Sequence, residues 1–481
     1  MARSLTDDEH KVLSDLRRQI GSRRRRNLIR SRYVDGEHQL EKMPVTVPVS
    51  MRELAIPVGW PAKTLTKFSA RLVPQSYTSR TRTSLLDDIE MVIDDNQLQY
   101  LEAQAIQSAA LHGCSFLFVT AGDPVLGEPE VLVTLRDALS ASVILDSRTR
   151  AVLAALEDQD DGTAILHLPD RVLTLTRPTG AGWAVEDEAE NETGRVLCAP
   201  YVHNATLQRP LGISRVTKPL MGLTDMGVRI MLRQEVSSEA YMTPRGFLID
   251  AFEEQFEERT KGGRTGWENI IGAFSALSSQ FDDETGAVVK PEIQFAPQMS
   301  FSPFSEQFRM IAAAVSGETS IPSSYLGVVQ DSNPTSAAAV EANEVDLIRD
   351  VRGQFPSYNL GRKALAAAIV TALYGAPDRA LLSELRGITP RWEDPRTRSV
   401  SEQSQFVALQ VQAGNFQAGT ESTLRQLPID AEDARLIALE NRASFGPSTL
   451  NQLLGQTASP EATDLAATET AAAPAADVAA V

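Results

Sequence analysis

The chain has 481 residues, 42% hydrophobic and 23% charged, which suits a large soluble globular protein with room for several parts. Its 63 acids against 46 bases give a net charge of −17, which argues against a sequence-specific DNA reader, whose surface needs a basic footprint. No apolar run reaches the roughly 20 residues that cross a bilayer, and the opening MARSLTDDEH has no signal core, so neither a membrane protein nor a secreted one is expected.

Residues 7–32 predict a charged amphipathic helix with Leu13, Leu16 and Ile20 on one face. Its basic run, Arg23 to Arg26 with Arg17, Arg18, Arg30 and Arg32, reads first as a solvated face and second as a nucleic-acid contact. Acidity elsewhere does not exclude DNA as a passenger, because a negative bore repels phosphate and lets a duplex slide. After the prolines at 44, 48 and 57, TLTKFSARLV is amphipathic and is closed by Pro74. A further helix is expected from about Asp95 to His112, ended by Gly113.

The period then changes to that of strands. SFLFVTA, EVLVTL, ASVILD, AVLAALED, TAILHL, RVLTLTR and GWAVED are β-rich and separated by turn residues, with Gln159–Gly162 as a hairpin tip. Cys114 and Cys198 sit in apolar settings and read as buried thiols in a reducing compartment, since two isolated cysteines build no disulfide framework. Residues 223–242 predict a long helix with Asp225 and Arg229 as an i,i+4 pair. Residues 246–300 return to mixed structure, with FLID, a helical piece near Trp267–Leu277 and a hairpin-like AVVKPEIQF.

The most distinctive stretch follows. Ser302 can cap a helix with Pro303 at its first position, and Phe304, Phe308, Ile311, Ala312 and Val315 form one apolar stripe that stops near Gly317. A polar segment runs from Gly327 to Thr335. From Ser336 a second stripe, with Val340, Leu347, Ile348, Val351 and Phe355, continues past Pro356 to about Leu373, which predicts a kinked helix. Short helices are expected around ITPRWEDP over 375–457, and the Ala-rich acidic tail 458–481 has the composition of a disordered segment. The fold class expected is α+β, predominantly helical.

Catalytic signatures are absent: there is no phosphate-binding Gly-Lys loop, no G-x-G-x-x-G, no G-x-S-x-G and no H-E-x-x-H. His10, His38, His112, His167 and His203 lack metal-ligand spacing. The acidic run 158–162 fails as a calcium loop, because the twelfth position would be Leu168 where a bidentate Glu is needed. Asp282, Asp283 and Glu284 suit a two-metal nuclease site less well than a solvated turn. No cofactor and no enzyme activity are expected.

Laid end to end, the residues resemble phage portal proteins of the SPP1-like family, particularly those of actinobacterial phages. The resemblance runs through YVDGEHQL, Ile93–Val119, Arg209–Gly212 and the helix 223–242, and is strongest in EQFRMIAAAVSGETSIPSSYLGVVQDSNPTSAAAVEANEVDLI, residues 306–348. It takes in Trp392-Glu393-Asp394-Pro395 and departs at Val34 and at the acidic stretches 157–161 and 186–192. Another head–tail adaptor ring protein is the nearest alternative, disfavoured by this chain's length, and a metal-dependent nuclease the more distant one.

The resemblance implies a portal fold assembling into a ring of about twelve subunits at one capsid vertex. It implies a wing at 1–220, stem helices at 221–245 and 304–320 with a clip at 246–303, and a tunnel loop within 321–335. The kinked helix 336–374 and a crown-side region 375–457 complete it. The loop residues that would meet DNA are Gly327, Val328, Val329, Gln330, Asp331, Ser332 and Asn333, and the lining helix would present Glu341, Glu344 and Arg349. The loop carries no Lys or Arg, so it can crowd a duplex without a strong ionic grip. Implied partners are further copies of the chain, double-stranded DNA held without sequence specificity, the terminase large subunit, the major capsid protein and scaffold, and a head–tail adaptor. The implied location is the virion vertex after assembly in the host cytoplasm, with no membrane.

Overall fold

A computed structural model describes residues 3–40, 43, 47, 49–80, 83–159, 162–177, 182–242, 246–249, 280–281, 288–289, 292–295, 300–328, 337–396, 400–427, 429 and 433–441. Strand β1 (Arg3–Ser4) leads into helix α1 (Asp7–Asp35). Thr6 starts α1 with a capping box: its hydroxyl accepts from the Glu9 amide, and the Glu9 carboxylate accepts from the Thr6 amide. Helix α2 (Trp60–Ser69) and strand β2 (Pro74–Ser79) precede helices α3 (Leu85–Asp95) and α4 (Leu98–His112). One helix was expected at 95–112. The chain instead breaks at Asn96–Gln97, where the Asn96 amide side chain caps the Val92 and Val131 carbonyls.

The strands are β3 (Cys114–Ala121), β4 (Val131–Asp137), β5 (Ala141–Leu145), β6 (Val152–Asp158), β7 (Thr163–His167), β8 (Arg171–Thr176), β9 (Ala184–Glu190) and β10 (Cys198–Val202). They form two antiparallel sheets, ordered β1-β9-β8-β7-β6-β5 and β10-β3-β4. The first sheet lays Leu156, Leu166, Leu173 and Leu175 against Leu13, Leu16 and Ile20 of α1, the apolar face read from the sequence. Strand β3, central in the second sheet, is buried on both faces over most of its length, which matches the apolar run in SFLFVTA. Cys114 and Cys198 lie in that layer as buried free thiols, and burial raises both thiol pKa values, that of Cys114 to about 11.

Helix α5 (Lys218–Met242) follows, then β11 (Gly246–Ile249), β12 (Gln280–Phe281), β13 (Val288–Val289) and β14 (Glu292–Phe295). Strand β11 pairs with β14 and β12 with β13, both antiparallel. Helix α6 (Ser302–Thr319), a 3-10 turn Ser323–Leu326 and helix α7 (Ala337–Tyr374) come next. The cap of α6 is Phe301, with Ser302 already inside the helix, one position away from the expectation. Within α5 the expected Asp225–Arg229 pair is replaced. Asp225 accepts from the Tyr33 hydroxyl at 2.9 Å and lies 3.0 Å from His38 Nε2, which ties α5 to the end of α1.

Helix α7 runs as one helix through Pro356, which sits on its exposed side. The residues that face inward pack it against β10 and β3. Gly361 marks the closest approach: a Cβ there would stand 2.7 Å from the Pro200 carbonyl oxygen and 3.1 Å from the Tyr201 ring. Helix α8 (Arg379–Gly387) leads to strand β15 (Ile388–Trp392), which pairs with β2. ITPRW is thus a strand and not a helical connector, because β2 supplies its backbone partners from more than 300 residues away.

Chain contacts divide at Pro395/Arg396, so residues 375–395 belong with the first compact unit. The second unit contains helices α9 (Val400–Gln412), α10 (Glu421–Leu424) and α11 (433–441). It closes around Val407, Ala434 and Ala438, with the Gln403 amide donating to the Gln426 carbonyl at 2.9 Å. Among the described residues no helix is long and apolar enough to cross a membrane.

Candidate loop base and lining helix

The segment between α6 and α7 begins with a tightly held base. Ser320 takes a left-handed conformation after α6, Ile321 is fully buried, and the 3-10 turn ends at Gly327 with φ +82°, a value that suits glycine. Trp60 at the start of α2 donates from Nε1 to the Leu326 carbonyl at 3.2 Å, and its ring lies 5.1 Å from that of Phe308 on α6. Val328 is buried as well. The base is therefore fixed to α2 and α6. Of the seven expected loop residues, Gly327 and Val328 are described, whereas Val329, Gln330, Asp331, Ser332 and Asn333 lie outside the described residues.

The other anchor crosses to α7. Glu344 takes an ion pair from Arg71 at 2.7 Å and a hydrogen bond from the Tyr325 hydroxyl. Arg71 also donates to the Pro395 carbonyl at 2.6 Å and reaches the Tyr325 hydroxyl at 3.4 Å. Lys67 lies 5.1 Å from the Tyr325 ring. Burial first, and the Glu344 carboxylate next, raise the Tyr325 pKa, so the phenol stays a donor. Glu344 is only 3% exposed, which corrects the expectation that it lines an open wall: in this protomer its charge is spent on Arg71.

Asp350, half-buried, is also paired, with Arg215 at 2.6 Å. Arg215 in turn donates to the Thr319 carbonyl at 2.7 Å and lies 4.0 Å from the Phe68 ring. The open side of α7 consists of Ala342, Asn343, Val345, Asp346, Arg349, Arg352, Pro356 and Leu360. Arg349 and Asp346 are both more than three-quarters exposed and stand 3.9 Å apart, and Arg352 pairs with Asp394. That face balances one acid against two arginines, so the acidic wall suggested by composition is absent from its described side chains. Glu341 is on α7, but its side chain lies outside the described residues.

Behind the open face sits a buried polar centre that sequence reading missed. Arg362 is 1% exposed and donates to Glu102 on α4 at 2.9 Å, to the Arg391 carbonyl at 2.6 Å and to the Gln75 carbonyl. Its guanidinium lies 4.8 Å from the Tyr77 ring and 5.1 Å from that of Trp392, which stacks on Phe355 at 5.1 Å. Burial opposes the Arg362 charge, but Glu102 and the two tyrosines outweigh it and raise the pKa. Tyr201 donates to the same carboxylate. One residue thus fastens α7 to α4, β2 and β15. The available signal was its register: Tyr358, Arg362, Leu365 and Ile369 share one helix face, and a charge on an apolar stripe requires a partner.

His203 is also buried here, 3.2 Å from the Tyr358 hydroxyl, and burial with the Arg215 charge lowers its pKa to about 3. Among the described residues no group of three His, Cys, Asp or Glu side chains could hold a metal ion. Asp282, Asp283 and Glu284 lie outside the described residues.

No family model matches the chain. The portal protein of Mycobacterium phage L5 is 24% identical over 329 residues, covering 66% of this chain and 65% of the relative. That of Mycobacterium phage D29 is 24% identical over 329 residues, covering 66% of each. The chain resembles mycobacteriophage portal proteins. The match spans just under two thirds of those relatives' length. Among solved structures, a chain from the virion of a native gene transfer agent particle overlays with a TM-score of 0.40 at 14% identity, covering 84% of this chain and 99% of that one. A chain from the neck of the native particle, computed with C12 symmetry, gives 0.40 at 15% identity, covering 83% and 99%.

Proposed function

We propose that this chain is the repeating subunit of a phage portal, a ring at one capsid vertex through which double-stranded DNA enters during packaging and leaves at ejection. The observation that carries the reading is the 329-residue similarity to portal proteins, which takes in 66% of this chain. In this reading the protein acts as a conduit and joint between head and tail, without catalysis. Its partners are other copies of itself, DNA held without sequence specificity, the terminase large subunit, the capsid protein with its scaffold, and a head–tail adaptor.

The clamped loop base supports a mechanical role for the α6–α7 connection. A segment that meets a moving duplex needs a rigid footing, and here Trp60 on α2, Arg71 just after it, Tyr325 in the turn and Glu344 on α7 supply one. We assign Gly327 to Asn333 to the tunnel loop and the exposed side of α7, with Arg349, to the channel wall. With Arg349 offset by Asp346 and Arg352 by Asp394, its described side chains let phosphate pass without a strong grip in either direction. The wing, stem, clip and crown regions follow the boundaries given by the sequence, with Ile388–Trp392 joined to the wing side through β2.

Electron microscopy of the purified chain, with native mass measurement, tests the reading. A closed ring of about twelve subunits with an axial hole is expected. A chain that remains monomeric at all concentrations and is missing from particles overturns it.

A further inference from the structure

Helix α1 carries eight arginines between residues 17 and 32 and no acid in that span. Arg24, Arg25, Arg26 and Arg32 are exposed, and between them the apolar side chains of Leu28 and Ile29 are exposed to 41% and 40%. Beneath them Arg30 is half-buried beside Arg26 and Arg209, its pKa lowered to about 10 by burial and then by those charges, and its Nε has no partner. Among the described residues no carboxylate pairs with Arg25, Arg26 or Arg32.

The opposite charge lies on β9. Among the described residues strand β1 covers β9 only at Ala184 and Val185, and no described strand pairs with that edge from Glu186 to Glu190. Glu186, Asp187, Glu188, Glu190 and, just beyond, Glu192 are all exposed, and among the described residues only Glu188 of these is held in an ion pair, by Arg3 and Arg171. An open strand edge carrying acids of this density repels a like edge and admits a basic surface.

The two charged surfaces stand at opposite ends of one layer. Helix α1 crosses the six-stranded sheet: Glu9 lies 3.5 Å from Arg171 on β8, Arg17 pairs with Asp158 at the end of β6 at 3.2 Å, and Gln19 bonds Ser142 on β5 at 2.9 Å. Arg24 then reaches the Leu139 carbonyl, beyond the sheet. At 1.5 Å per residue, Arg25 and Arg32 lie about 24–35 Å along the helix from Glu9, far beyond the roughly 10 Å over which exposed charges interact in salt. The patches cannot meet inside one subunit. Placed on opposite ends, they can meet between subunits related head to tail, the arrangement that closes a ring.

We infer that the Arg25–Arg26–Arg32 face of α1, with Leu28 and Ile29 at its centre, docks on the acidic open edge of β9 in the neighbouring copy of this chain. This rests on the ring reading above and names the contact that would join its subunits. The apolar pair favours a protein occupant over a phosphate backbone, which offers nothing to cover Leu28 and Ile29.

The test uses the full chain with two charge reversals, Arg25→Glu/Arg26→Glu/Arg32→Glu and Glu186→Lys/Asp187→Lys/Glu190→Lys. Each reversed chain alone presents like charges at every contact, and the concentration needed for assembly, read by sedimentation velocity, should rise about a hundredfold or more. Mixed in equal amounts, the two should assemble with alternating subunits into an even-numbered ring. That recovery also shows that each reversed chain is folded. Reversed chains that assemble alone like the unaltered one overturn the inference, as does a mixture that fails although both chains have native circular dichroism. If the basic-face reversal abolishes binding of a fluorescent DNA duplex while rings form normally, the face serves nucleic acid and the inference is wrong. Failure of the unaltered chain to form any ring is a different result: it removes the portal reading, and this contact with it.

Discussion

Replacing Arg362 with Met is the sharpest test of how α7 is held. The substitution keeps the aliphatic length but removes the cation from a site that is 1% exposed. Among the described residues Glu102 would then retain only the Tyr201 hydroxyl as a partner, and the Gln75 and Arg391 carbonyls would each lose a donor. Breaking a buried ion pair from one side costs about 3–5 kcal/mol, because the remaining charge stays desolvated. The first compact unit spans residues 1–395, for which the entropy of unfolding at the midpoint is about 0.8 kcal/mol/K, so the melting temperature should fall by about 4–6 °C. Adding Glu102→Gln should recover at least about half of that loss, since it removes the stranded charge. Differential scanning calorimetry of the three variants beside the parent measures both effects. If Arg362→Met melts within about 1 °C of the parent, or if the two substitutions simply add, the pair does not fasten α7 and the reasoning fails.

Deleting Val329–Asn333 should leave ring assembly intact and impair DNA packaging or retention, and normal packaging by that mutant would remove the role given to the loop. Gly361→Ala should destabilise the unit by about 1–3 kcal/mol, because the new methyl meets the backbone of Pro200 at 2.7 Å and cannot be accommodated by a rotamer change; an unchanged melt would show that α7 can shift. Pro356→Ala restores a helical amide donor on the exposed side of α7 and should raise stability by up to about 3 kcal/mol and alter the helix path, whereas an unchanged path in the variant's structure would refute the kink expected from the sequence. His203 has a folded pKa of about 3, below its unfolded value of about 6.5, so the unfolded chain binds the extra proton between those values. Stability should therefore decline as pH falls from about 6.5 toward 3, and His203→Gln should flatten that decline in urea titrations at several pH values; an identical slope in both proteins would sink this assignment.

The long elements were legible because their apolar stripes are local facts. Leu13, Leu16 and Ile20, or Ile311, Ala312 and Val315, lie on one helix face whatever else the chain does, and all six are buried. The strands from Cys114 to Glu190 were equally plain, since β-branched runs alternate with turn residues and each strand pairs with a neighbour in sequence. Helix α3 and the β2–β15 pair escaped notice. A short helix broken at Asn96 depends on the Val131 and Val133 backbone, and ITPRW becomes a strand only when residues 74–79 lie beside it.

What sequence determined, then, is the long helices, the strands from Cys114 to Glu190 and the helix–loop–helix pattern that carries the portal resemblance. What only the tertiary structure decided is which charges remain free. Glu344, Asp350 and Arg362 are three charges on one helix, and Arg71, Arg215 and Glu102, between 135 and 273 residues away, bury all or part of each in an ion pair. An ion pair is a relation between two positions, and at such separations chain order holds no record of it. Periodicity, by contrast, is written into the spacing of a single segment.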